Sequence, residues 1–156
     1  MSIYKSYTVE EAQKKMEHYC AYQERCHDEV IQKLKTLNMI PQAIDTIVVH
    51  LLDHNFLNEE RFACSFARGK FRIKHWGRRR IINELKARSI SKYNIDRAMK
   101  EIPEGDYLEA FHNLADKQWD TVMEKNLFKK KKKVMDFLLR KGFESNIVQE
   151  KLNSFS

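Results

Sequence analysis

At 156 residues with 42% hydrophobic content, the chain is long enough for one ordinary domain or a few small units with a packed core, and too apolar to stay disordered. Its 29 basic and 22 acidic residues leave a net charge of +7, which directs attention to anionic partners. Four glycines and two prolines are too few for a turn-rich all-β fold, no apolar run approaches the roughly 20 residues that cross a bilayer, and the N-terminus lacks an apolar signal segment, so a cytoplasmic protein without membrane contact is expected.

In chain order, Thr8 and Glu11 have the spacing of a capping box, which predicts a helix from near Val9 to about Glu24 with Ala12, Met16, Tyr19 and Tyr22 at helical intervals. A second helix over roughly 27–37 carries Val30, Ile31, Leu34 and Leu37. A third starts near Pro41, a residue suited to a first helical turn, and carries Ile44, Ile47, Val48, Leu51 and Leu52. Cys20, Cys26 and Cys64 are odd in number and unpaired in spacing, as expected of reduced thiols. His18, Cys20, Cys26 and His27 are close in sequence, and His50 and His54 have the spacing of a zinc-binding pair. No complete tetrahedral set accompanies them, so no metal is expected.

The pattern then recurs. Shifted by 51 residues, Val30, Ile31, Leu34, Met39, Ile44 and Ile47 fall on Ile81, Ile82, Leu85, Ile90, Ile95 and Ala98. A further shift of 53 places Ile81, Ile82, Leu85 and Ile90 on Val134, Met135, Leu138 and Phe143. Phe62 matches Phe111 in the preceding helix of each copy. A period near 50 means tandem units, here 1–57, 58–103 and 104–156, each a three-helix module too small to hold a large core alone. The expected fold is all-α: three tandem three-helix repeats in an elongated, curved, solenoid-like body. Pro103, Glu104 and Gly105 interrupt the pattern, which suggests flexibility between the second and third repeats.

Charge is concentrated on this frame. Nine basic residues and one acid lie between Arg68 and Arg88, and six basic residues with no acid between Lys125 and Lys133, so the remainder of the chain is net −7. Arg78 to Arg80 and Lys130 to Lys133 each precede an apolar helix, where the dipole disfavours cations and a bound anion would relieve them. Arg61, Arg68 and Arg72 share a stripe opposite Phe62, Phe66 and Ile73, while Arg79 and Lys86 lie together away from Ile81 and Leu85. Trp76, at a helix corner, is expected to pack against its own fold more than to stack on a base. No phosphate loop, nucleophile elbow or nuclease carboxylate cluster is present, which points to a binding protein, not an enzyme, with no cofactor. Asp53, Glu59 and Glu60 fall where helix capping accounts for them.

Within segments 24–63 and 75–99, Arg25 and His27 open the second helix, Phe56, Leu57, Asn58, Glu59, Arg61, Phe62 and Ala63 link two units, and Gly77, Arg78, Arg79, Ile81, Ile82, Glu84 and Leu85 open the next helix. In these residues the chain resembles the RecX family of recombinase regulators. Cys26 interrupts the family's Arg-x-Ser pattern, Ser89 stands where a Gly is frequent, and the lysine run is unusually dense. The resemblance implies three tandem three-helix units that bind the RecA recombinase and its single-stranded DNA filament, restraining strand exchange, ATP hydrolysis and coprotease function without a cofactor. Arg68, Arg72, Arg79, Arg80 and Lys86 are the phosphate-side candidates, with Lys130, Lys131, Lys132 and Lys133 as a second contact, on a monomeric protein. The alternative is a free-standing helix-turn-helix DNA-binding protein that places the 78–88 helix in a major groove.

Overall fold

The computed structural model describes residues 6–156; residues 1–5, the start of the first expected unit, lie outside the described residues. Among the described residues there are nine α-helices and no strand: α1 (Val9–Tyr22), α2 (His27–Thr36), α3 (Pro41–Asp53), α4 (Glu59–Arg72), α5 (Arg78–Ala87), α6 (Lys92–Met99), α7 (Glu104–Thr121), α8 (Leu127–Lys141) and α9 (Ser145–Ser154). They pack in triplets, α1–α3, α4–α6 and α7–α9, called units 1, 2 and 3 below.

The helix starts are written in local chemistry. Thr8 and Glu11 form the reciprocal capping box at 3.1 and 3.0 Å. Cys26 takes the corresponding position at α2, with its N–H and its thiol both donating to Glu29 Oε1 at 3.2 Å. Asn58, Ser91 and Asn126 accept from the backbone three residues on, at 2.9, 3.2 and 3.0 Å. α1 ends at Tyr22, two residues before the expected Glu24, because Gln23 is fully extended.

The helix ends carry the repeat into three dimensions. The second helix of each unit closes through a residue in the left-handed region: Asn38 at φ 59°, Ser89 at 61° and Gly142 at 101°. In each case the next N–H returns to a leucine carbonyl, Met39 to Leu34 at 3.2 Å, Ile90 to Leu85 at 3.1 Å and Phe143 to Leu138 at 3.2 Å. This is the same Schellman closure, with its apolar contact, three times at the sequence period. Asn tolerates the left-handed conformation best after Gly, so Ser89 is the strained member of the set.

Unit 1 has its own core, built on Met16, Val30, Leu34, Ile47 and Leu51. Units 2 and 3 share a second one, which runs through Phe71, Ile81, Leu85, Tyr107, Phe111, Leu138 and Phe143 and also takes in Cys26 of unit 1. The break at Pro103 to Gly105 is therefore bridged by continuous apolar packing, contrary to the flexibility its composition suggests. The chain exposes 10072 Å² at 18.7 kDa, where a compact monomer of that mass exposes about 8,300 Å², as fits an elongated body.

Candidate nucleic-acid interface

Charge is unevenly divided among the units. Residues 58–103 carry net +8, against −2 for residues 1–57 and +1 for 104–156. Folding then sorts the cations of units 2 and 3 into those neutralised by a carboxylate and those left open.

Arg78 is the most heavily neutralised. Its guanidinium pairs with Glu104 and, at 3.0 Å, with Glu144, and stacks 3.8 Å over the ring of Tyr107. Burial works to lower its pKa, but the hydrogen bonds it donates to the two carboxylates more than offset that and raise it. The Tyr107 hydroxyl donates to Glu144 and accepts the N–H of Arg78 at 3.0 Å. Burial, followed by the hydrogen bond to Glu144, pushes the phenol well above its ordinary value of 10.0.

The neighbouring donors are also taken. The N–H of Gly77 donates to Lys141 O at 2.7 Å and that of Arg79 to Gly142 O at 2.9 Å, so the positive end of α5 meets the negative end of α8. The anion expected at the N-terminus of α5 is replaced by these carbonyls and a phenol. Such contact needs glycine on both sides. A Cβ on Gly77 would stand 2.4 Å from the Gly142 carbonyl, and one on Gly142 would stand 2.3 Å from Arg80 Cβ.

The expected phosphate-side residues divide as follows. Arg68 pairs with Glu101 at 3.2 Å, Lys132 with Asp136 at 2.7 Å and Lys133 with Glu124 at 3.2 Å. Glu124, receiving the Asn126 N–H and Lys133, is held below its usual carboxylate range. Arg72, Arg79 and Lys86 are exposed and, like Lys131, pair with no carboxylate among the described residues. Arg80 lies 4.2 Å over the Trp76 ring and donates to Arg140 O at 3.3 Å; Lys130 lies 4.3 Å over Trp119. Aromatic faces fix these two cations without cancelling their charge.

Several open cations were not among the sequence candidates. Lys70 sits between Phe66 and Trp76, 5.4 and 5.0 Å from the ring centres, and Lys141 reaches across from unit 3 to Lys74 O at 3.0 Å. Arg80 and Lys141 thus tie the unit 2 corner to the end of α8 by donating to the carbonyls of Arg140 and Lys74, beside a groove of about 530 Å³ lined by Arg79, Arg80 and Arg140. Trp76 is half-buried, edge-on to Phe66 at 6.3 Å, so it both packs and holds cations.

The remaining candidate chemistry is occupied. His50 Nε2 meets Glu17 at 2.9 Å, and His54 Nδ1 meets the His50 carbonyl at 3.0 Å. All three thiols are free and buried, and burial pushes Cys20 and Cys26 up to about 11. Among the described residues no helix is long and apolar enough to cross a membrane.

Three consecutive three-helix units, with open cations on the second and third, define a class of all-α helical-repeat protein. Comparison with known proteins narrows it. Residues 58–99 match the family description "RecX, second three-helix domain" and residues 104–152 match "RecX, third three-helix domain". The chain is 24% identical over 131 residues to regulatory protein RecX of Bacillus cytotoxicus, covering 84% of this chain and 48% of that one. It is 29% identical to those of Finegoldia magna and Thermotoga maritima, covering 85% of this chain in both cases and 65% and 76% of theirs. The chain therefore spans about half to two thirds of the length of the first two relatives. The crystal structure of RecX from Lactobacillus salivarius superposes with a TM-score of 0.79 at 23% identity over 93% of this chain and 94% of that one. This chain belongs to the RecX family.

Proposed function

We propose that this chain regulates the RecA recombinase by lying against its single-stranded DNA filament, restraining strand exchange, ATP hydrolysis and coprotease function. The reading is supported above all by the cations of units 2 and 3 that no carboxylate among the described residues neutralises. Arg72, Arg79, Arg80 and Lys86 are the phosphate contacts of unit 2, with Lys130 and Lys131 as those of unit 3. Arg68, Lys132 and Lys133 contribute less, because each already has a carboxylate. The net-negative unit 1 faces protein. No side chain performs chemistry, and no cofactor takes part.

The test is RecA strand exchange and ATP hydrolysis titrated with the protein, beside a variant with Arg72, Arg79, Arg80 and Lys86 changed to Ala. Arg78 must be left intact, since its partners are internal. Inhibition at substoichiometric levels that weakens in the variant is expected; no inhibition by the unaltered protein defeats the proposal. With about six phosphates neutralised, log affinity for single-stranded DNA should fall against log salt with a slope near −4, at roughly −0.7 per contact.

The helix-turn-helix alternative is disfavoured by one observation. A recognition helix meets base edges with its N-terminal residues, and in α5 those residues are seated on the end of α8.

A further inference from the structure

Gly69 lies in the interior of α4, where glycine costs roughly 1 kcal/mol relative to alanine. Nothing stands within 4 Å of where its Cβ would be, so no close approach requires it, in contrast to Gly77. Internal packing offers no reason for this residue.

The space above Gly69 is the floor of a cleft of about 380 Å³ between unit 1 and α4. Phe66 and Ile73, three residues before and four after, put apolar surface on the same helix face, and Ile73 is 74% exposed. Lys70 and Lys74 also line the cleft, and neither is paired with a carboxylate among the described residues. Gln23 contributes an amide that can both donate and accept. The two carboxylates that reach the cleft, Glu24 and Glu29, are met by Arg61 and Arg25, which leaves the lysines to set its sign.

A bare helix floor with apolar flanks admits a flat group lying on it. Two open cations demand an anion beside that group, and an amide matches a polar edge. An unstacked nucleotide has all three properties, with a planar base, an adjoining phosphate and a hydrogen-bonding edge. We propose that this cleft seats one base of a single-stranded nucleic acid, with the neighbouring phosphates on Lys70 and Lys74. The proposal rests on the reading that unit 2 contacts such a strand and adds to it a site for a base. An acidic peptide would satisfy the lysines but has no flat group for the floor.

The substitution Gly69→Leu tests this directly, because it fills the floor, leaves every charge in place and favours the helix. Thermal unfolding should show an unchanged or higher Tm. Binding is read by fluorescence anisotropy with a single-stranded oligodeoxynucleotide and with an abasic strand of the same length. The unaltered protein should prefer the base-bearing strand about tenfold, and Gly69→Leu should abolish that preference while leaving abasic-strand affinity and its salt dependence unchanged. Equal binding of both proteins to the base-bearing strand overturns the proposal, as does a parallel loss on both strands. A Glu- and Phe-containing peptide that binds the unaltered protein and not the variant would also overturn it, in favour of a protein ligand. Failure of the unaltered protein to bind either strand removes the phosphate reading itself, a result distinct from the others.

Discussion

The two joints between units are built differently. Between units 2 and 3, backbone meets backbone: two glycines touch, two N–H groups of one helix end donate to carbonyls of another, and one core runs through. Between units 1 and 2 the contacts are side chains. Arg61 pairs with Glu24 at 2.6 Å and holds the carbonyls of Asn55 and Phe56, His27 lies 3.6 Å from Glu59, and Cys26 is the only residue of unit 1 in the larger core among the described residues. Here also Glu24 Oε2 and His27 Nε2 are buried without a hydrogen-bond partner. A joint that fixes backbone resists bending, whereas one of side chains and unmet polar atoms can open at modest cost. The base-sized cleft lies at the second kind.

The largest expected effect comes from placing a methyl in the backbone joint. Gly142→Ala would put a Cβ on a residue at φ +101° and against Arg80, and should cost about 3 kcal/mol from overpacking and left-handed strain together. At roughly 2–4 °C per kcal/mol for a chain of this size, Tm should drop by about 10 °C in a calorimetric scan. A drop below about 2 °C would mean that Gly142 is not packed against Arg80.

The sequence reveals the units and hides the joints. Leu34, Leu85 and Leu138 recur because each must close the same helix turn, and that local demand is legible at a period near 50. Arg78 and Arg79 are adjacent and look alike, yet one is a fully engaged structural cation and the other is open. The difference lies in Glu104, Tyr107 and Glu144, placed 26, 29 and 66 positions away, and no local pattern announces them. The i,i+4 pair Lys132–Asp136 is legible in the sequence, since that spacing puts both on one helix face. Lys70 stands out only in the folded chain, because its aromatic partners, Phe66 and Trp76, come together when the α4–α5 corner forms.

Polar substitutions at the two joints should separate in the same order. Tyr107→Phe removes the acceptor of the Arg78 N–H and a partner of Glu144, leaving a donor unmet, and should cost about 1–3 kcal/mol of global stability. Arg61→Ala removes a partly exposed pair and should cost about 1 kcal/mol, seen first as faster hydrogen exchange at the start of α2. Equal losses of Tm in the two variants would erase the distinction between the joints.

Open and neutralised cations offer a finer comparison within unit 2. Arg79→Ala should lower the salt slope of single-stranded DNA binding by about 0.7, and Arg68→Ala by much less, because Arg68 already pairs with Glu101. Equal changes would show that folding does not sort the cations as the ion pairs indicate.

Alkaline titration is the mildest probe, and it acts on both joints through groups of different acidity. Cys26 is a thiol of ordinary pKa 9.0, pushed up to about 11 by burial, and Tyr107 is a phenol that starts at 10.0 and is also pushed up. In each case the folded state favours the protonated form, so the stabilisation is complete below the unfolded pKa and is lost as pH rises through the folded one. The thiol enters that window first, between about 9 and 11. Cys26 is the residue that seats unit 1 in the larger core, so unit 1 should loosen while the backbone joint still holds. Thiol alkylation with mass-spectrometric readout should find Cys20 and Cys26 slow at pH 8, by about two orders of magnitude relative to a free cysteine from thiolate fraction alone. Both should be modified near pH 10, while near-ultraviolet dichroism of the Tyr107 region is still native. Simultaneous loss of both signals would mean that the joints open as one.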